Sequence, residues 1–352
     1  MPIKVLVVDD SAMVRKTITD TLAHDPDIEV VGVANDPLIA MDKVARLQPD
    51  VMTLDMEMPR MDGLTYLRQL QKERSPVAVV VVSSLTQQGS QIALDAMDAG
   101  ACEVLAKPDG SMSIGALAGK LAFHIKAAHA AKKRFRPAAS VPVARSAPQG
   151  LAPAAMPSRH DKRLIVVGAS TGGVEALSQL LPGLPSGLPP ILVVQHIPAF
   201  FSKAVADRLN QMCGYEVREA VHDEPILPGL CLMAPGNFHL MVAGVPGSYR
   251  TRLVQSPPVH YCRPAVDVLF RSAAELAGKH TLAVLLTGMG SDGALGMQAV
   301  RRAGGINLAE HEDSCVIYGM PRAAVQLGVV DKSVTIERMP QAVMEHLSLV
   351  GA

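Results

Sequence analysis

Residues 3–11 read IKVLVVDDS: five of the first six are apolar, and two aspartates and a serine follow without a spacer. A short apolar run with no polar alternation is a strand buried on both faces, and such strands belong to parallel sheets covered by helices. Ser11 is a natural N-cap for a helix running to His24. The alternation recurs, with strands expected at 28–33, 51–54, 77–82 and 102–105 and helices at 37–47, 86–98 and 112–129. Parallel neighbours need crossover connections, so this part of the chain is expected to form an α/β, doubly wound parallel sheet.

Further along, the composition changes. From 132 to 162 the apolar periodicity disappears among Ala, Pro, Ser and Arg, with prolines at 137, 142, 148, 153 and 157. So little apolar surface cannot offset the entropy of ordering, and the segment reads as a linker. Its basic start (Lys132, Lys133, Arg134, Arg136) reads as a solvated helix end before a docking patch. The alternation then resumes. A strand at 164–167, a glycine-rich turn and a helix at 174–181 lead to a strand at 191–195 and a helix at 200–212. A Gly- and Pro-rich stretch at 214–258 suggests short strands and an antiparallel edge, followed by a helix at 264–277, a strand at 282–286 and a helix at 293–303. The 352 residues are too many for one ordinary core. The expected division is 1–131, a linker at 132–162, and a second doubly wound α/β domain at 163–350.

Composition removes several function classes. Hydrophobic residues at 49% suit packed cores, and the absence of Trp means those cores are aliphatic. Lys and Arg number 33 against 33 Asp and Glu, so charge gives no support for a nucleic-acid or anionic-membrane partner. Cysteines 102, 213, 231, 262 and 315 are scattered without a C-x-x-C pair, which suits a reducing compartment and suggests neither disulfides nor zinc. The first residues enter a strand without a signal-peptide pattern, and no apolar run approaches the ~20 residues of a membrane span. A cytoplasmic protein with no membrane insertion is expected.

Chemistry concentrates at strand ends. Asp9 and Asp10 close the first strand, Asp55 the third, and Lys107 follows the fifth. Parallel strands finish on one edge of the sheet, so these residues converge. Clustered carboxylates repel one another and hold a hard divalent cation, Mg²⁺ above all. The cation offsets the charge of an incoming phosphoryl group while Asp55 attacks it as a nucleophile. Lys107 supplies a compact positive charge, and Ser83, after the 77–82 strand, can hydrogen-bond the modified group. Each acid alone is more simply a helix cap. The ordered set VVDDS, LDMEMPRMDG, VVSS and AKP at successive strand ends is not.

GASTGG at 168–173 lies between a strand and a helix. It is not a dinucleotide fingerprint, because Ser170 fills the second glycine position, and no Gly-Lys-Ser/Thr follows to make a P-loop. A serine on a strand-to-helix turn has the setting of an exposed nucleophile. It needs a base, and the base an orienting partner. His196 ends the next strand (ILVVQHIP), and Asp292 lies in TGMGSDGA after a third. Taken singly, His196 is a structural histidine and Asp292 a helix cap, and the residues by themselves leave both readings open. His239, His260 and Asp267 fall in the irregular stretch or inside a helix, where convergence is harder to argue.

The motifs of residues 1–130 resemble response-regulator receiver domains, which implies strand order 2-1-3-4-5. It also implies Asp55 as phospho-acceptor, Mg²⁺ held by Asp9, Asp10, Asp55 and the Glu57 carbonyl, and Ser83 and Lys107 as the phosphoryl switch pair. GASTGG, QHIP, APGNFHL, RPAVDVLF, TGMGSDGA and YGMPRAA resemble the catalytic domain of the chemotaxis protein-glutamate methylesterase family. That resemblance implies Ser170 as nucleophile, His196 as base and acid, and Asp292 as its orienter. The Met289 amide and Thr171 are the candidate oxyanion donors, and no cofactor is implied in this domain. It further implies demethylation of glutamate esters, and deamidation of glutamines, on chemoreceptor helices. A histidine kinase would be the phosphoryl donor, with phosphorylation releasing restraint by the receiver. Cys262 departs from the family, which often has histidine before the Arg-Pro pair. A receiver fused to a nucleotide- or protein-binding module is the competing class. A transcription factor is disfavoured by the size of the second domain and the lack of a basic recognition helix.

Overall fold

The computed structural model describes residues 1–83, 87–107, 114–132, 162–199 and 201–350. The chain divides into two compact units, Met1–Val141 and Pro142–Ala352. The boundary falls in the proline-rich segment read as a linker, of which 133–161 lie outside the described residues.

The first unit runs β1 (Ile3–Val8), α1 (Ala12–Leu22), β2 (Ile28–Ala34), α2 (Pro37–Leu47), β3 (Val51–Asp55), α3 (Gly63–Lys72), β4 (Ala78–Ser83), α4 (Gln87–Asp98), β5 (Glu103–Ala106) and α5 (Ile114–Ala131). Its five strands are parallel in the order β2-β1-β3-β4-β5, as the resemblance implied. Val5, Val7, Val51 and Val80 are buried beneath Ile18, Leu22 and Ile125, and each such side chain contributes about 1.5–3 kcal/mol. Helix α1 starts as expected, with the Ser11 side chain accepting from the Val14 amide. Helix α3 was not anticipated. Asp62 caps it, accepting from Thr65 N at 2.7 Å, and Tyr66, Leu67 and Leu70 are buried. Its signal is an Asx cap followed by leucines at 64, 67 and 70.

The second unit runs β6 (Leu164–Ala169), α6 (Gly173–Leu180), β7 (Ile191–Gln195), α7 (Phe201–Met212), β8 (Glu216–Glu219), β9 (Leu230–Met233), β10 (His239–Val245) and β11 (Ser248–Val254). It continues with α8 (Val266–Ala277), β12 (Thr281–Leu285), α9 (Ala294–Arg302), β13 (Ile306–Glu310), α10 (Met320–Gln326), β14 (Lys332–Val334) and α11 (Met339–Leu347). Seven strands form one sheet in the order β14-β13-β12-β6-β7-β9-β8, and every pairing is parallel.

The expected antiparallel edge is corrected on two counts. Strands β8 and β9 join the sheet in parallel, and the antiparallel pair β10-β11 is a separate two-stranded sheet. A short hairpin pairs most easily with itself, and β10 packs instead on α8, where Val242 N donates to Ser272 Oγ at 3.0 Å. Everything from β13 onward also escaped the sequence reading. Asn307 and Glu310 interrupt its apolar pattern yet are buried. The Asn307 amide nitrogen is satisfied there, with Nδ2 donating to the carbonyls of Met297 (2.9 Å) and Val329 (2.8 Å).

Candidate active site and acidic cluster

Strand β6 occupies the middle of the seven, between β12 and β7. Adjacent strands lie about 4.8 Å apart. The residues following their carboxyl ends, Ser170 after β6, His196 after β7 and 287–292 after β12, are therefore brought to one place. The turn after β6 is held by its neighbours. Ser170 N donates to the Thr287 carbonyl (3.0 Å), and Gln195 Nε2 donates to the Ser170 carbonyl (2.9 Å). Gly172 adopts φ +77°, which a side chain would disfavour, and opens α6. Gly288 packs so closely that a Cβ there would lie 2.6 Å from Ser170 Cβ.

His196 Nε2 lies 2.7 Å from Asp292 Oδ2, with the two side chains 5% and 2% exposed. A carboxylate can only accept, so Nε2 carries the hydrogen and Nδ1 is left as the basic atom. Nδ1 is buried and has no hydrogen-bond partner. No hydrogen bond joins Ser170 to His196 among the described residues. Such contacts often tighten only when substrate arrives. Burial opposes a charge on His196, but the nearby Cys262 sulfur and the Asp292 carboxylate outweigh it and hold the ring above the usual imidazole range. Burial likewise opposes the charge on Asp292. The His196 contact and the amides of Asp267 (2.8 Å) and Val266 (2.7 Å), at the start of α8, prevail and hold its carboxyl below the ordinary value.

The segment after β12 is fixed from behind. Thr287 N donates to Glu310 Oε2 (2.8 Å), its Oγ1 donates to the Thr171 carbonyl (3.0 Å), and Ile317 N donates to that Oγ1 (2.9 Å). Thr171 is buried in the turn beside Ser170, and Met289 follows Gly288 next to Ser170. Both candidate oxyanion residues thus border Ser170.

In the first unit Asp9 and Asp55 are buried, Asp10 is exposed, and one carboxylate oxygen from each lies within 4.8 Å of the others. Lys107 Nζ approaches Asp55 Oδ2 at 2.7 Å and Asp9 Oδ2 at 3.1 Å. Burial raises the Asp55 pKa, with Lys107 pulling against it and Asp9 adding to it. Three carboxylates with one ammonium leave excess negative charge on hard oxygen donors, which fits a divalent cation of the Mg²⁺ kind. Ser83 is buried at the end of β4, and its carbonyl accepts from Lys107 N (2.8 Å). Glu57 N lies 3.3 Å from Asp55 Oδ1, which keeps the 55–57 turn at the cluster.

The profile of the CheB methylesterase family matches residues 165–343, and that of the response regulator receiver domain matches 5–116. A "protein-glutamate methylesterase/protein-glutamine glutaminase 2" of Syntrophus aciditrophicus (strain SB) is 45% identical over 349 residues, 97% of this chain and 98% of that protein. The chain belongs to the CheB methylesterase family. Another member, from Cupriavidus metallidurans, is 46% identical over 352 residues, 99% of this chain and 97% of that one. The crystal structure of the Thermotoga maritima CheB methylesterase catalytic domain matches at TM-score 0.51 and 38% identity, covering 52% of this chain and 97% of that chain. No helix among the described residues is long and apolar enough to cross a membrane.

Within this CheB-family chain, the supporting residues are what sequence reasoning missed. Gln195 was read only as the end of a strand, yet its side chain ties the Ser170 turn to the His196 turn. His239, set aside as irregular, is buried. Its Nδ1 accepts from Ala265 N (3.2 Å) and its Nε2–H points to the Pro257 carbonyl (3.2 Å). Burial depresses its pKa, as suits a neutral ring pinning the segment before α8. Asp267, also set aside, hydrogen-bonds across to α9. Nothing in local sequence marks these residues, because each has a partner at least 25 positions away.

Proposed function

We propose that the second unit hydrolyses glutamate γ-methyl esters, and deamidates glutamines, on the helical cytoplasmic regions of chemoreceptors. The observation that carries this reading is the His196–Asp292 pair at 2.7 Å beside the Ser170 turn, with Nδ1 unengaged. Ser170 Oγ attacks the side-chain carbonyl carbon as its proton passes to His196 Nδ1. The tetrahedral oxyanion is met by the Met289 amide, with Thr171 as a second donor. Collapse breaks the ester carbon–oxygen bond, or the carbon–nitrogen bond of glutamine, and the imidazolium gives its proton to the departing oxygen or nitrogen, releasing methanol or ammonia. Water, deprotonated by His196, then cleaves the acyl-enzyme to glutamate and restores Ser170. Asp292 holds the ring and stabilises the imidazolium.

The receiver reading assigns residues 1–131 to a phosphorylation domain, 132–162 to a linker and 163–350 to the hydrolase. Asp55 attacks the phosphorus of a kinase phosphohistidine, whose phosphorus–nitrogen bond breaks to leave histidine on the kinase; Asp9, Asp10, Asp55 and the Glu57 carbonyl would hold Mg²⁺. Lys107 and Ser83 then engage the phosphate oxygens. Mg²⁺ supplies charge neutralisation during transfer. Phosphorylation relieves restraint on the hydrolase, and a coupling of about 1–3 kcal/mol suffices for a ~5–150-fold change.

The test is methanol release from methylated receptor by the full chain. Ser170→Ala should abolish it, and Asp55→Asn should keep basal release while losing stimulation by the kinase. Release that survives Ser170→Ala would refute the nucleophile assignment.

A further inference from the structure

We propose that Asp267 is a positioning residue for hydrolysis, acting through Asp292 by an exchange of helix caps; the proposal rests on the Ser170–His196–Asp292 reading. Helices α8 and α9 each begin without a side-chain cap of their own, at Ala265 and Gly293. Exposed first-turn amides must find acceptors, and when buried they find them in protein. Here each helix is capped by the other. Asp292, just before α9, accepts from Val266 N and Asp267 N at the start of α8. Asp267, in the first turn of α8, accepts on Oδ1 from Gly293 N (3.0 Å) and Gly296 N (2.6 Å) at the start of α9.

The consequence falls on the segment between β12 and α9. It carries Asp292 and the Met289 amide, and Asp267 clamps its end at Gly293. The approach is tight, for a Cβ on Gly296 would lie 3.2 Å from Asp267 Oδ1 and 2.5 Å from Phe270 Cβ. Rotation of Asp292 away from His196 would therefore uncap α8, while release of Asp267 would free the stretch that aims Asp292.

Charge adds a second effect. Asp267 Oδ2 faces His260 Nε2 (3.2 Å), with the Arg271 guanidinium at 4.0 Å. Every partner is a donor, so the network fits an Asp267 anion. The same engagement argues against a metal among His260, Asp267 and Asp292, although their ligand atoms come within 4.8 Å. An anion beside the Asp292–His196 pair favours the imidazolium that forms when Ser170 yields its proton. The charged and titratable groups around the pair are then Asp267, His260 and Arg271 on the α8 side, His239 close to Asp292, and Cys262 beside the imidazole; burial and the Asp292 charge raise the Asp267 pKa, and its donors pull against them.

The experiment measures kcat, KM and the pH profile of methanol release from methylated receptor by full-length Asp267→Ala and Asp267→Asn, with thermal melts as the folding check. A displaced orienter can cost about 10²-fold in rate. Asp267→Ala should lose about tenfold to a hundredfold in kcat with KM near the parent value. Asp267→Asn keeps an oxygen for Gly293 and Gly296 and should recover part of that loss. Both should move the acid limb of kcat/KM to lower pH, because the imidazolium loses a stabilising negative charge. A residue with a merely structural role would lower the melting temperature and leave the profile in place. An Asp267→Asn protein that folds, with parent kcat and parent profile, overturns the proposal. Parallel Ser170→Ala and Asp292→Asn proteins separate the two readings, since activity retained in either would sink the triad whatever Asp267 does.

Discussion

Replacing Gly288 by alanine should disable the hydrolase without replacing any group that reacts. The added Cβ would lie 2.4 Å from Met320 Sδ and 2.6 Å from Ser170 Cβ, where carbon contacts settle near ~3.5–4.0 Å. The backbone at 288 cannot step aside. Its amide donates to the Ile317 carbonyl (3.0 Å), and its carbonyl accepts from Gly319 N (3.1 Å) and Met320 N (2.8 Å). Met320 and Ser170 are both buried, so neither can swing clear into solvent and Ser170 must take up part of the strain. Ser170, the proposed nucleophile, would move by about 1 Å, a displacement that costs ~10²-fold in rate. Overpacking of this sort destabilises by about 1–3 kcal/mol. For a domain of this size each kcal/mol lowers Tm by about 2–4 °C, giving a drop of about 2–12 °C. Methanol release measures the first quantity and calorimetry the second. Gly214→Ala is the control, since a Cβ there meets nothing within 4 Å. A Gly288→Ala protein hydrolysing at more than about half the parent rate would refute the claim that this glycine is what lets the nucleophile sit where it does.

The His196–Asp292 pair links stability to pH. Asp292 is held below its usual 3.8 and adds stability above that value, lost as pH falls through its folded pKa. His196 is held above 6.5 and adds stability below that value, lost as pH rises through its folded pKa. Asp292→Asn should therefore lower Tm more at pH 5.5 than at high pH, and an equal loss at both would contradict the ion pair. Cys262→Ala removes one of the two attractions holding the ring's pKa up, so the acid limb of kcat/KM should move to lower pH; a limb displaced upward would be contrary to this account. In the receiver, Lys107→Ala deletes the one ammonium at 2.7 and 3.1 Å from Asp55 and Asp9, and calorimetric titration should show tighter Mg²⁺ binding. Weaker binding would mean that Lys107 organises the carboxylates more than it competes with the cation.

The parts legible in sequence share one property: they lie at the ends of apolar runs. Asp9 and Asp55 in the first sheet, and Ser170 and His196 in the second, each close such a run, and parallel topology alone brings each pair to one edge of its own sheet. Asp292 was legible at one remove, through the glycine-rich loop after β12. Illegible were contacts whose partners come from elements read poorly or not at all. Asp267 looked like an ordinary helical residue because α9's need for a cap is a tertiary fact. Glu310 and Asn307 hid β13 because their burial is compensated by bonds that only the folded chain supplies. Helix α3 was hidden by the irregular MEMPRM stretch ahead of its cap. The hairpin β10-β11 was seen as strands but assigned to the wrong sheet, since strand pattern carries no information about which neighbour will be chosen.

The seven-stranded sheet finishes in β8, four residues of which three are charged, and β14, three residues that begin with Lys332. Borders so brief and ionic offer a foreign polypeptide almost no ladder to extend. Ser170, the proposed nucleophile, follows the central strand, with three strands on either side. A protein substrate is thus denied the edge-on route that many peptide-binding sheets use, and must present its side chains end-on to the rim where β6, β7 and β12 stop. That suits a guest whose own backbone is already internally hydrogen-bonded, and it disfavours an extended, unfolded one.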